Sequence, residues 1–205
     1  MRCRALIVMV CAGAALGLGS CAARPVRTAQ PPDSRVEAHA KALDLFAQGQ
    51  RARGAGNLDR AIECYRMSIA NNPDLGAVWN NLGLALMDRG TESDFVASGQ
   101  AFTQAASLLP RDATPYRNLG VLYDTRGFAE DALKHFESAL AVNEYDIESL
   151  RGATRAGKVL HKSDPAALDR LRRAQMVETD PAWREIILRE RIRVEADLKE
   201  AADRM

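Results

Sequence analysis

The chain has 205 residues and is 47% hydrophobic, with 28 Lys and Arg set against 27 Asp and Glu for a formal net charge of +1. A balance this close to neutral argues against nucleic acid as the main partner. Its 4 cysteines stand at positions 3, 11, 21 and 64, none in a CxxC pair that would mark a metal or redox site.

In chain order, residues 1–20 read as a leader. Arg2 and Arg4 form a basic start, Ala5 to Leu18 is an uncharged apolar run, and small residues lead to Cys21. The run falls short of the roughly 20 residues that a transmembrane helix needs, so it reads as a secretory signal. Leu18-Gly19-Ser20-Cys21 resembles the lipobox of bacterial lipoproteins. That resemblance implies cleavage before Cys21, a diacylglycerol on its thiol and acylation of its new amino group. Several acyl chains hold a protein to a membrane where one holds it marginally. In Gram-negative lipoproteins an Asp after the Cys favours the inner membrane. Ala22 stands there instead, so the expected location is the outer membrane, facing the periplasm, with the lipid as the sole membrane contact. Ordinary secretion with cleavage nearby is the competing reading. Cleavage would remove Arg2, Arg4, Cys3 and Cys11, leaving a net charge of −1 and Cys64 as the one free thiol.

Residues 21–35 carry three prolines and little apolar content, the composition of an extended tether. At about 3.1 Å per residue, such a tether spans roughly 40 Å. The remaining stretch of about 170 residues suits one domain with its own core.

That domain repeats itself. WNNLGLALMDRG from Trp79 to Gly90 recurs as YRNLGVLYDTRG from Tyr116 to Gly127, 37 residues later. Three copies of a helix pair are predicted, over 36–75, 76–112 and 113–146. Apolar residues at helical spacing, such as Leu119, Leu122 and Tyr123, then Leu133, Phe136 and Leu140, define the two helices of the third. Gly56, Gly90 and Gly127 are expected to end the first helix of each pair in the left-handed conformation. The second copy is three residues too long between Gly90 and Phe102, which predicts an enlarged turn over Thr91 to Val96. Residues 147–179 read as a degenerate fourth copy, with a helix starting at Asp164-Pro165. A last helix, 180–205, carries a narrow apolar stripe of Trp183, Ile186, Ile187, Val194 and Leu198. Opposite charges lie four apart on its other face, as at Glu185 and Arg189. This is the pattern of an end cap or of a dimerising helix, the latter breakable by charges at Ile187 and Val194.

Trp79, Leu82 and Gly83 in the second copy, and Tyr116, Leu119, Gly120, Tyr123, Ala132 and Phe136 in the third, resemble the tetratricopeptide (TPR) signature. Glu144 stands where that family usually has Pro. The resemblance implies an all-α TPR α-solenoid of antiparallel helix pairs with a C-terminal capping helix. It further implies a concave groove lined by the first helices, where Asn80, Asn81, Leu84, Arg117, Asn118 and Val121 would face a ligand. Some members use a ladder of Asn, here Asn81 and Asn118, to hold the backbone of an extended peptide. The carboxamide suits this because it both donates and accepts. Asn that simply bonds within its own repeat is the structural alternative. Arg151 and Arg155 at the degenerate end extend the groove with basic character that would suit acidic side chains or a terminal carboxylate.

Catalytic chemistry is not written in the chain. His39, His135 and His161 stand far apart with no ligand at metal spacing, and neither a phosphate loop nor a GxSxG elbow occurs. Cys64 precedes the ring of its repeat and reads as a buried, inert thiol. The expectation is a non-enzymatic scaffold without cofactor, catalytic residue or metal. Its partners would be envelope proteins or, if the last helix dimerises, a second copy of itself.

Overall fold

The computed structural model describes residues 33–204. The leader 1–20, Cys21 and the tether up to Pro32 lie outside the described residues. The helices are α1 (Ser34–Gly54), α2 (Leu58–Asn71), α3 (Gly76–Arg89), α4 (Glu92–Leu108), α5 (Ala113–Thr125), α6 (Ala129–Val142), α7 (Ile147–Val159), α8 (Pro165–Val177) and α9 (Pro181–Asp203). Ser34 and Arg35, assigned to the tether from composition, belong to α1. Asp33 caps that helix by accepting the Arg35 N–H at 3.2 Å.

Local signals set most helix ends. Asn57, Asp112, Asp146, Asp164 and Asp180 each accept a main-chain N–H at a helix start, and Pro165 and Pro181 follow two of these caps. Gly56, Gly90 and Gly127 take φ values of 76°, 73° and 79°, the left-handed region that glycine enters without a Cβ penalty.

The expected enlarged turn after Gly90 is not there. The three extra residues lengthen α4 to 17 residues, against 14 in α2 and in α6. Thr91 and Asp94 form a capping box immediately after the glycine, which starts the helix there. Arg89 clamps Asp94 through two hydrogen bonds of 2.9 and 2.6 Å. Asp94 is buried, and this guanidinium, ahead of the opposing effect of burial, holds its carboxyl well below the usual range. Local capping overrode the register of the repeat.

In each of the first three pairs a fully buried ring closes the gap between helices. Tyr65 of α2 lies on Gly49 of α1, Phe102 on Gly83, and Phe136 on Gly120. A methyl group added at any of these glycines would sit 2.5–2.6 Å from the ring. Phe136 is also pressed by Gly152 of α7, where an added methyl would lie closer still to the ring. The small residue and the large ring are thus one device, and neither works alone. Trp79 anchors the start of α3, its indole N–H donating to the Pro73 carbonyl at 2.8 Å.

Each helix packs on its sequence neighbours, and α1, α3, α5, α7 and α9 also touch in succession side by side. The result is an all-α, TPR-type solenoid of antiparallel pairs. In α7–α9 the core consists of Leu150, Ala153, Ala156, Ala167, Leu171, Ala174, Ile187 and Val194, with no ring of their own. Ile187 and Val194 are 0% and 1% exposed, so they belong to this core and not to a free surface. Charging them would unseat α9 and would not report on dimerisation. The exposed large apolar residues of α9 are Ile186, Leu188 and Ile192. Among the described helices α9 touches only α7 and α8, so it does not lie across α1, α3 or α5.

Candidate functional site

The first helices present their polar positions along one face, and there the structure shows a seam of side-chain pairs linking each first helix to the next. Between α1 and α3, Arg53 donates to Asp88 through Nε (2.9 Å) and Nη2 (2.8 Å). Asn118 of α5 donates to the Asn80 carboxamide oxygen of α3 at 2.8 Å. Arg155 of α7 donates to Asp124 of α5 at 2.7 Å. Arg117 donates to Asp146, the cap of α7, at 2.7 Å.

The predicted site residues therefore divide. Asn81 is half-buried on the groove, and its amide donates to the Ala77 carbonyl of its own helix at 2.8 Å, leaving its oxygen uncommitted. Asn118 is only 9% exposed and is held by Asn80, so the two expected rungs are not equivalent. Leu84 and Val121 are half-buried and pack against the hydrophobic core.

The expected basic end is electrically quenched. Arg155 and Arg117 are paired as above, and Arg151 grips Glu178 with Nε and Nη2, both at 2.7 Å. The Glu178 side chain is fully buried and also accepts the Asp180 N–H at 2.8 Å. Arg151, foremost among these donors, holds the Glu178 carboxyl down at about 2. The Trp183 ring lies 5.4 Å from the Arg151 guanidinium carbon and completes the clamp. These arginines hold helices together, each already paired with a carboxylate in the free chain.

The open part of the groove is at the other end. Gln50, Arg53, Gly54, Tyr65, Asn81 and Asp88 line a cleft of about 360 Å³ between α1 and α3. Neither Tyr65 nor Asp88 is among the residues that the sequence places in the groove. The one available signal was that Tyr65 occupies the ring position filled by Phe102 and Phe136 in the next two pairs.

Two of the three histidines have structural partners. His39 shares a 2.7 Å hydrogen bond with Asn72, and His135 stacks on Tyr123 with ring centroids 5.1 Å apart. Burial pushes the His135 pKa down. Cys64 is free and 0% exposed. Among the described residues, no three His, Cys, Asp or Glu side chains stand where they could share a metal ion.

No protein-family model matches the chain. It is 29% identical over 103 residues to the peroxisomal targeting signal receptor of Eremothecium gossypii, which takes in 50% of the chain and 17% of the receptor. The corresponding receptor of Candida glabrata is 28% identical over 97 residues, 45% of the chain and 16% of the receptor. The chain thus spans less than a fifth of the relatives it matches. Among solved structures it resembles the MamA protein, with TM-score 0.60 at 15% identity, covering 80% of this chain and 94% of that one. It also resembles the first TPR of Spaghetti (RPAP3) bound to the HSP90 peptide SRMEEVD. There the TM-score is 0.56 at 21% identity, over 60% of this chain and 96% of that one.

Proposed function

We propose that this chain is a non-enzymatic adaptor that holds an extended segment of another protein in the cleft between α1 and α3. The observation that carries this is the cleft itself. It is open, and its sides are the carboxamides of Gln50 and Asn81 beside the internally neutral Arg53–Asp88 pair. Such a surface has donors and acceptors for main-chain N–H and C=O groups and little net charge to demand acidic or basic side chains. A TPR structure carrying a bound peptide lends support by analogy of fold alone.

The same proposal places the adaptor on the bacterial envelope. Leu18-Gly19-Ser20-Cys21 is the support for a lipid at Cys21 and Ala22 for the outer membrane, with the domain facing the periplasm. The partners are then envelope proteins, and the work is assisting assembly of a pilus, secretion, outer-membrane or cell-wall complex.

Crosslinking the tagged, full-length chain in cells tests this. Asn81→Lys fills the cleft without breaking a buried contact, because the Asn81 amide bonds only its own helix. Loss of the crosslinked partner in this variant is the expected result, and an unchanged partner set would move binding away from the cleft. Replacing Cys21 by Ala should abolish incorporation of radiolabelled palmitate into the protein.

A second arrangement, a structural oligomer joined through α9, is favoured by one observation. Leu188 and Ile192 are 39% and 56% exposed one turn apart on the terminal helix. Leu188→Lys with Ile192→Lys would then give monomers in sedimentation while leaving the fold intact.

A further inference from the structure

The three ring-on-glycine contacts are geometrically alike, yet one ring differs chemically. Phe102 and Phe136 fill their positions with hydrocarbon, whereas α2 has Tyr65, whose ring is 0% exposed. The Tyr65 hydroxyl is buried and has no hydrogen-bond partner among the described residues. A buried donor without a partner destabilises the folded chain, and Phe at this position would avoid that cost. The fold therefore gives no reason for the oxygen: two neighbouring pairs close in the same way without it.

The place of the oxygen supplies a reason. Tyr65 belongs to a second helix, but its ring passes over Gly49 and forms part of the lining of the cleft between α1 and α3. Gln50 and Asn81 flank it there, and the Arg53–Asp88 pair lies alongside. Gln50 is exposed and Arg53 partly so, and both are flexible side chains able to turn aside at no cost to the core.

Building on the groove assignment, we infer that the Tyr65 hydroxyl is a binding residue, the buried donor of a subsite that takes a main-chain carbonyl of the bound segment. A neutral carbonyl fits better than a carboxylate, because Arg53 is already neutralised by Asp88. The hydrogen bond missing in the free protein is completed by the ligand. Gln50 and Asn81 then pair with the peptide groups on either side of that carbonyl.

The test compares the full-length chain with Tyr65→Phe and Asn81→Lys, using as probe a peptide selected from a phage-displayed library of random sequence. Tyr65→Phe should keep or raise the thermal midpoint of the free chain and weaken the peptide by about tenfold, the worth of one buried hydrogen bond. Asn81→Lys should abolish binding. A lowered midpoint for Tyr65→Phe would show that the hydroxyl already has a partner in the free protein, and would overturn the inference. Equal affinity for Tyr65→Phe, with binding still lost in Asn81→Lys, would overturn it too and leave the groove assignment standing. Peptides insensitive to Asn81→Lys, or a library yielding none, would remove the groove assignment and the Tyr65 subsite with it.

Discussion

From α1 to α6 the helices of each pair close on a buried ring, whereas from α7 to α9 they are bridged by arginines. Tyr65, Phe102 and Phe136 each fill a space that only glycine leaves open. In the last three helices, Arg170 at 6% exposure reaches back to Glu137 at 2.6 Å, Arg151 holds Glu178, and Arg193 of α9 donates to the Ser163 hydroxyl at 2.8 Å and the Lys162 carbonyl at 3.1 Å, just after α7. The two ends should therefore respond to different insults. A ring contact fails when atoms are added, and an arginine bridge fails when charge is removed.

The largest contrast is expected from adding bulk. Gly120→Leu should destabilise by about 2–3 kcal/mol in denaturant titration, since overpacking a closed contact forces the Phe136 ring and its helix aside. A neutral result would mean that the contact is looser than described.

Removing charge comes next. Glu178→Ala leaves Arg151 without its main acceptor and should cost about 2 kcal/mol, with the loss of hydrogen-exchange protection confined to α7–α9. Acid should act in the same place. The Glu178 carboxyl is held at about 2 in the folded chain against an ordinary 4.5, so it adds stability at neutral pH. That contribution is complete above pH 4.5 and is lost as the pH falls from there towards 2. Asp94, lowered by Arg89, acts with the same sign at the start of α4. Protection in α8 and α9 should thus fall before that of α5 and α6 on acid titration. The reverse order would dissolve the distinction between the two ends.

A smaller effect has the opposite sign. Gly157 sits in helical α7, and a methyl added there meets only the Arg170 guanidinium, 3.9 Å away. Gly157→Ala should stabilise by about 0.5–1 kcal/mol, because alanine forfeits less backbone entropy in a helix. The same change at Gly83, where the added methyl would lie 2.6 Å from the Phe102 ring, should destabilise. Smallest of all is Asp88→Ala. It breaks a pair whose side chains are 33% and 39% exposed, and should cost about 0.2–1 kcal/mol, decreasing with salt.

The ring-bound end was the legible one. Aromatic, glycine and alanine positions recur at fixed offsets because each repeat must fit the next, and the three left-handed glycines mark where chains reverse. The length of α4 departs from the repeat because Thr91-x-x-Asp94, a local helix start signal, outweighs the repeat register. The arginine-bridged end was opaque for another reason. Arg151 and Glu178 lie 27 residues apart and Arg170 and Glu137 lie 33 apart, so no local spacing pairs them. Within the groove, Asn81 and Asn118 looked alike in sequence, and only the neighbouring Asn80 separates them. Tyr65 was hidden by its own conformity, since it fills the ring position that Phe102 and Phe136 fill in the next two pairs.

The neighbour-only contacts of the solenoid also have a mechanical meaning. Among the described helices, none touches a partner more than two places along the chain. Tension applied at either terminus is therefore borne in series, by one interface at a time, and not shared across a common core. Pulled from the α9 end, the molecule should first give way at its arginine bridges, while the ring-closed pairs and the cleft between α1 and α3 remain whole. Loading from the rear would thus leave the front pairs unstrained until the bridges behind them had given way.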